Sequence, residues 1–224
     1  MPYLYLVRHG QPDFTGDYDS LTELGLQQSS WLGEHLGARG IRFARAASGT
    51  LRRQADTCDA VLQQVPGSPV LVRDARFNEY DHASLLSFFE GDRLQTLRAA
   101  GDRRGYFTAI RHSLEQWSRH AEPITNGESW GTFGERIQAG VAELCAGLER
   151  DANVLIVTSG GVIGRYTAEV LGAGADAAIQ LNLQTRNTGV TEIVRTPSGG
   201  ARLVAFNAVP HLECAERQHT VTFS

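Results

Sequence analysis

The first candidate for chemistry is a group of polar residues that ends an apolar run near the start of the chain. Leu4–Val7 is apolar, and Arg8-His9-Gly10-Gln11 follows it directly. A short apolar run bounded by turn residues predicts a buried strand. Because charged groups are rarely buried without a partner, an arginine and a histidine at the end of such a strand indicate a ligand site.

Further candidates follow the other predicted strands. Arg53 lies in the first turn of the helix after the second strand, and Glu79 follows the third strand region. Ser159, with Gly160 behind it, follows the fourth strand. Ligands of open α/β sheets bind outside the carboxyl ends of the strands, so we expect these loops to meet in one pocket. Two arginines, a histidine and two helix N-termini there favour a phosphoryl group.

Strands and helices alternate along the chain. The predicted strands are 3–7, 43–47, 69–72, 154–157, 190–194 and 202–206, and the predicted helices are 20–36, 51–65, 128–148 and 162–171. The first helix is placed by the capping-box spacing of Ser20 and Glu23. The alternation predicts an α/β fold, a three-layer α/β/α architecture with a mostly parallel sheet. Residues 80–126 break the alternation, and we interpret them as a helical cap insertion in a single domain that spans 1–224.

Composition excludes several functional classes. The chain is 42% hydrophobic with a net charge of -4, which is typical of a globular protein and argues against nucleic acid as a partner. No apolar run is long enough for a membrane span, and no secretion signal is evident. The three scattered cysteines read as reduced thiols, which predicts a cytoplasmic protein. No acidic cluster has metal-ligand spacing, so we expect neither a metal nor another cofactor. The sequence leaves a homodimer open.

The motifs resemble the histidine phosphatase superfamily, the phosphoglycerate mutase-like enzymes. The segment LVRHGQ is similar to the signature of this family. The segment SGTLRRQADT, residues 48–57, resembles its serine-led motif and places Arg53 at the key arginine. The resemblance covers nearly the whole chain, including 21–25 with Gln28, 127–129, Asn187 with Val190 and Thr191, and Asn207 with His211 and Leu212.

This resemblance implies a phosphoglycerate mutase-like fold and a metal-independent phosphatase of small phosphomonoesters. In the mechanism that the resemblance implies, His9 attacks phosphorus and forms a phosphohistidine, while Arg8 and Arg53 bind the phosphoryl oxygens. Glu79 protonates the leaving oxygen and later takes a proton from water. Beside the two arginines, the expected phosphate-binding residues are Gln11, Ser159 and Gly160.

Ser159 departs from the family pattern, which has a second histidine directly before two glycines. Serine is a shorter, neutral donor, and the loss of one preorganised donor costs on the order of 100- to 1000-fold in rate. The serine could also cap the helix that follows it. His82 and His211 are the candidates to replace the missing histidine.

Alternative functions remain open at this point. The departure at Ser159 is compatible with a catalytically weak phospho-ligand-binding or regulatory protein. A mutase is less favoured, as is a serine hydrolase, which expects glycine where Val157 stands. Specificity is predicted to lie in 80–126, where aromatic residues mix with arginines: Tyr80, Phe88, Phe89, Tyr106, Arg93, Arg98, Arg103 and Arg104.

Overall fold

A mixed sheet forms the centre of the structure, which is a computed structural model that describes residues 2–14, 16–67, 69–91, 96, 102–124, 127–196 and 200–223. In these residues the strands are β1 (Tyr3–Arg8), β2 (Phe43–Ser48), β3 (Val70–Arg73), β4 (Asn153–Thr158), β5 (Val190–Arg195) and β6 (Ala201–Ala208). Their order is β3-β2-β4-β1-β5-β6. Every pair from β3 to β1 is parallel, and β5 is antiparallel to both of its neighbours. The predicted mostly parallel sheet is therefore confirmed.

Helices cover both faces of this sheet. The α-helices of the described ranges are α1 (Glu23–Ala38), α2 (Arg52–Leu62), α3 (His82–Glu90), α4 (Arg103–Arg119), α5 (Trp130–Cys145), α6 (Gly160–Val170) and α7 (Ala175–Gln184). Short 3₁₀ helices lie at Ala75–Phe77, Pro210–Leu212 and Gln218–Thr220.

The alternation of side chains in β1 explains the layers. Tyr5 and Val7 pack into the same apolar cluster as Leu32 of α1 and Val61 of α2. Leu4 and Leu6 point to the opposite face and pack into a second cluster. A central strand that is apolar from Leu4 to Val7 is thus buried on both faces, as expected for a parallel sheet between two helical layers.

One local prediction differs from the structure, and two features of the structure were not predicted. The predicted capping box at Ser20 is wrong, because the hydroxyl of Ser20 donates to the Asp17 carbonyl in a turn. Thr22 is the N-cap instead, and it accepts from the Gly25 N–H at 2.9 Å. Strand β3 is exposed along its length, since it lies at the edge of the sheet. Helix α7 was not predicted, because its alanine-rich sequence has little apolar periodicity.

The segment predicted as a helical cap contains α3 and α4. Trp117 of α4 is buried, and its ring lies 5.2 Å from that of Trp130 and 5.4 Å from that of Phe133, both on α5. Tyr80, which precedes α3, joins the same aromatic cluster. Helix α4 therefore packs directly on α5, and Leu85 and Leu86 of α3 belong to the same apolar cluster. No helix in the described part of the chain is long and apolar enough to cross a bilayer.

Strand register brings the candidate residues together. Arg8 pairs with Thr158 across β1 and β4, and Ser48 pairs with Val157 across β2 and β4. These three parallel strands therefore end at the same edge of the sheet. The loops that carry His9 and Ser159 and the start of α2 all emerge there.

Candidate active site

His9 is the first residue after β1 and is almost fully buried. Its Nδ1 lies 2.8 Å from the carbonyl oxygen of Gly10. Since a carbonyl oxygen can only accept, Nδ1 must carry the proton, and Nε2 keeps its lone pair. The Nε–H of Arg53 donates to this Nε2 at 3.3 Å. The imidazole is thus fixed as the tautomer whose free nitrogen faces a cation.

The surroundings of His9 keep its ring neutral. Burial lowers the pKa of His9 well below its ordinary value of 6.5, and the positive charges of Arg53 and Arg8 lower it further. The hydrogen bond to the Gly10 carbonyl opposes this shift but does not outweigh it. A neutral imidazole with an available lone pair is the form that a nucleophile requires.

The two predicted arginines lie beside this ring. Arg8 is 6% exposed, and its Nη1 donates to the Thr185 carbonyl at 2.6 Å. Arg53 is equally buried, and its Nη1 forms an ion pair with the Asp19 carboxylate at 2.7 Å. The guanidinium of Arg53 also lies over the ring of Tyr18, 5.0 Å from its centroid. Both cations are therefore held in place by the protein around the imidazole.

A backbone contact couples the His9 loop to α2. The Gly10 N–H donates to the Thr57 hydroxyl at 2.9 Å, and that hydroxyl donates to the Arg53 carbonyl at 2.7 Å. A Cβ at position 10 would lie 2.9 Å from the carbonyl carbon of Gly25 in α1. Glycine is thus required at position 10 because α1 approaches the loop too closely for a side chain.

Glu79 lies at the N-terminus of α6. Its Oε2 accepts from the Gly161 N–H at 2.9 Å, and its Oε1 accepts from the Tyr80 N–H at 3.2 Å. Burial raises the pKa of Glu79 above its ordinary value of 4.5, although these N–H donors and the charge of Arg53 pull it down. A carboxyl group with a raised pKa is suited to donate a proton near neutral pH.

Ser159 is 1% exposed, and its side chain makes no cap hydrogen bond to α6. Its hydroxyl oxygen instead accepts from Nε2 of Gln54 at 2.7 Å. The hypothesis that the Ser159 side chain caps α6 is therefore wrong. Gln54 was missed in the sequence, because a glutamine in a helix carries no signal that separates it from an ordinary polar residue.

Two other predicted phosphate-binding residues have structural partners. Gln11 accepts through Oε1 from the Thr22 hydroxyl at 2.9 Å, which ties its side chain to the start of α1. Gly160 begins α6, and a Cβ there would lie 2.6 Å from Oδ1 of Asn182. Both residues remain predictions as phosphate ligands.

The two histidines considered as replacements at Ser159 lie in different places. His211 is 4% exposed, and its Nε2 bonds to the Thr188 hydroxyl at 2.8 Å, behind the loop that carries His9. The ring of His82 lies 4.3 Å from that of Tyr80. Burial and the charges of Arg53 and Arg8 lower the pKa of His82 to about 4. His82 is therefore close to the pocket, whereas His211 is bound elsewhere.

Sequence reasoning also missed the loop before α1. Asp19 bridges two points of α2, since Oδ1 pairs with Arg53 and Oδ2 accepts from the Arg52 N–H at 3.0 Å. Tyr18 next to it packs on the Arg53 guanidinium. A short loop rich in acidic and small residues gives no sequence signal for either contact.

The structure describes part of the predicted specificity region. Arg93 and Arg98 lie outside the described residues, as does the side chain of Arg103. Tyr80 is buried, and Phe88 is half exposed on α3. Among the described residues, no group of three or more histidine, cysteine or acidic side chains is arranged to hold a metal ion.

Comparison with known sequences gives a consistent family. The model of the histidine phosphatase superfamily (branch 1) matches residues 4–209. A 2,3-bisphosphoglycerate-dependent phosphoglycerate mutase of Rhizobium etli is 31% identical over 173 residues, which cover 73% of this chain and 77% of the relative. The corresponding mutase of Rhizobium johnstonii is 30% identical over 193 residues, or 81% and 85% of the two chains.

Solved structures share the fold. YhfR of Bacillus stearothermophilus superposes with a TM-score of 0.70 at 22% identity, covering 95% of this chain and 100% of that one. A mycobacterial glucosyl-3-phosphoglycerate phosphatase in complex with VO3 gives a TM-score of 0.63 at 26% identity, covering 92% and 98%. An Entamoeba histolytica phosphoserine phosphatase mutant with phosphoserine gives a TM-score of 0.66 at 19% identity, covering 95% and 100%. With the family model matching nearly its whole length, the chain belongs to the histidine phosphatase superfamily.

Proposed function

We propose that the chain is a metal-independent phosphomonoester phosphatase that works through a phosphohistidine on His9. The observation that carries the proposal is the fixed tautomer of His9. Its Nδ1 donates to the Gly10 carbonyl, and its unprotonated Nε2 accepts from Nε of Arg53 at 3.3 Å. A phosphoryl group bound by Arg53 would thus meet the lone pair of the nucleophile.

In the first step, Nε2 of His9 attacks phosphorus and the bond from phosphorus to the leaving oxygen breaks. Arg8 and Arg53 stabilise the charge on the nonbridging oxygens. Glu79 gives its proton to the leaving oxygen, so an alcohol departs and a carboxylate remains. The buried position of Glu79 and its raised pKa support this role.

In the second step, the Glu79 carboxylate takes a proton from a water molecule, whose oxygen attacks the phosphohistidine. The bond from phosphorus to nitrogen breaks, and inorganic phosphate leaves. His9 returns to its neutral form, and Glu79 is again protonated. No group other than water is consumed.

The choice of phosphatase over mutase rests on the solved neighbours that carry phosphatase names, one of them 26% identical. The mutase names of the relatives at 30–31% identity keep phosphoglycerate isomerisation as a competing reaction. A phospho-ligand binder with weak turnover is a second candidate, favoured by the serine at 159. A serine hydrolase is disfavoured, because the Ser159 hydroxyl bonds to an amide rather than to a base.

The test is phosphate release from a panel of phosphomonoesters in the presence of EDTA. The panel should include p-nitrophenyl phosphate, phosphoserine and 3-phosphoglycerate, and the products of the last should be checked for the 2-phospho isomer. His9→Ala is the inactive reference, and His219→Ala, at an exposed histidine, is the matched control. We expect turnover in the unmodified chain and the control, none in His9→Ala, and an acid-labile phosphoenzyme.

Three results would contradict parts of the proposal. Turnover no greater than that of His9→Ala would refute the enzyme proposal and favour a phospho-ligand-binding protein. Loss of turnover with EDTA would contradict metal independence. Isomerisation of 3-phosphoglycerate faster than phosphate release would make the chain a mutase.

A further inference from the structure

Two buried polar side chains meet where the family resemblance implies a histidine. Gln54 is fully buried, and its Nε2 donates to the Ser159 hydroxyl oxygen at 2.7 Å. The same Nε2 lies 3.3 Å from the Phe77 carbonyl oxygen. Ser159 stands directly before α6, whose Gly161 N–H holds the Glu79 carboxylate. The pair is therefore next to the acid of the proposed reaction.

The partners of the pair fix the direction of its hydrogen bond. A carbonyl oxygen can accept only from the NH₂ end of an amide, so Phe77 sets the orientation of the Gln54 amide. Ser159 then has to accept from Gln54, which leaves its own hydrogen for another acceptor. Among the described residues Gln54 is the hydrogen-bond partner of this hydroxyl, and it uses the oxygen, so the hydrogen is available to an oxygen placed in the pocket.

We propose that Gln54 and Ser159 together supply the phosphate donor at the position of the missing histidine. Ser159 donates its O–H to a phosphoryl oxygen, and Gln54 is a positioning residue that holds the hydroxyl in that direction. This inference rests on the proposed function, since it assigns a donor to the same phosphoryl group. It also predicts that the effect of a substitution at 54 depends on which residue stands at 159, and the reverse.

The dependence follows from space as well as from hydrogen bonding. The amide nitrogen of Gln54 lies at hydrogen-bond distance from Oγ of Ser159, so an imidazole at 159 would occupy the volume of the amide. Interiors are close-packed and tolerate such overlap poorly. A histidine at 159 should therefore function only if the side chain at 54 is shortened.

The first test is a double-mutant cycle on turnover with Ser159→Ala and Gln54→Met. We expect each single variant to lower kcat by roughly 10- to 100-fold, the lower part of the range for one lost donor, because the charge-assisted donors Arg8 and Arg53 remain. The double variant should be no slower than Ser159→Ala alone, since the two residues act as a unit. Thr167→Val, at a buried hydroxyl on the same helix, is the control and should leave kcat unchanged.

The second test is a rescue, which a merely structural glutamine does not predict. Ser159→His alone should lose at least tenfold in kcat, and Gln54→Ala combined with Ser159→His should recover at least tenfold over that single variant. Thermal unfolding of every variant identifies losses that come from folding.

The outcomes separate this inference from the proposed function. If the unmodified chain shows no turnover above His9→Ala, the same cycle is measured by calorimetric binding of inorganic phosphate, with non-additive losses of about tenfold expected by the same reasoning. Additive losses, an unaffected Gln54→Met, or a Ser159→His variant as active as the double variant would each overturn the pairing.

Discussion

Gly25 lies in the first turns of α1, and the structure predicts that alanine at this position destabilises the protein. A Cβ at position 25 would lie 2.8 Å from the amide nitrogen of Gln11 and 3.1 Å from its carbonyl carbon, and closer still to its carbonyl oxygen. These are backbone atoms, so no change of side-chain rotamer can relieve the overlap. The segment they belong to is the loop that carries His9.

The magnitude follows from two opposing effects. Helix propensity favours alanine over glycine by about 1 kcal/mol. Overpacking against a backbone that cannot yield costs about 3 kcal/mol, the upper part of the usual range. The net loss of about 2 kcal/mol should lower Tm by about 4 to 8 °C for a chain of this size.

Thermal unfolding of Gly25→Ala and Gly131→Ala measures this directly. Gly131 is an exposed glycine of α5, where a Cβ would meet only the Ser129 hydroxyl at 3.6 Å. Gly131→Ala should gain the stability that helix propensity gives to alanine, about 1 kcal/mol, and its Tm should rise by about 2 to 4 °C. Because Gly25→Ala also displaces the His9 loop, its kcat should fall while that of Gly131→Ala is unchanged. A Gly25→Ala variant that is stabilised like the control would refute the close packing.

Three other predictions concern charge. Activity should rise with pH as His9 loses its proton, at a pKa below 6.5, and should fall as Glu79 ionises, at a pKa above 4.5. In a pH–rate profile, Glu79→Gln should abolish the fall at alkaline pH and lower kcat by about 10²- to 10⁴-fold. Burial lowers the pKa of His211 to about 3, so the unfolded chain takes up this proton at a higher pH than the folded chain does. The contribution of His211 to the free energy of unfolding is therefore complete above pH 6.5 and is lost towards pH 3, by up to about 1.4 kcal/mol per pH unit. Denaturant titrations of His211→Phe should show a free energy of unfolding that changes less with pH. Asp19→Asn removes the ion pair that holds Arg53 and should lower kcat/KM by about tenfold, whereas an unchanged value would mean that the arginine is held by its other contacts.

The fold was predictable from the sequence because its strong signals are local. The apolar runs of β1 and β4 predict buried strands, and both strands lie at the centre of the sheet. The long helix α5 shows its apolar face at 3.6-residue spacing, and that face is buried. The strand β3 was found by its apolar residues, but its exposure was not, since edge position is a property of the whole sheet.

The candidate site was predictable only in part, because sequence patterns identify loops and not contacts between them. His9, Arg8, Arg53 and Glu79 follow strands or begin helices, and the sheet brings them to one edge. Gln54 lies within a helix and acts through a residue 105 positions away, so no local pattern could select it. Such contacts become visible only when the register of β2 and β4 is known.

The serine at 159 has an electrostatic consequence for Glu79. Two guanidinium groups and the Asp19 carboxylate leave one net positive charge around His9 while Glu79 is protonated. A bound phosphate dianion reverses that sign, and a negative charge nearby raises the pKa of Glu79 further, which keeps it protonated. A histidine at 159, when charged, would stand beside the Gly161 N–H that holds this carboxylate and would lower its pKa. A neutral donor at 159 thus gives up strength in holding phosphate, and in return it favours the protonated acid on which departure of the leaving group depends.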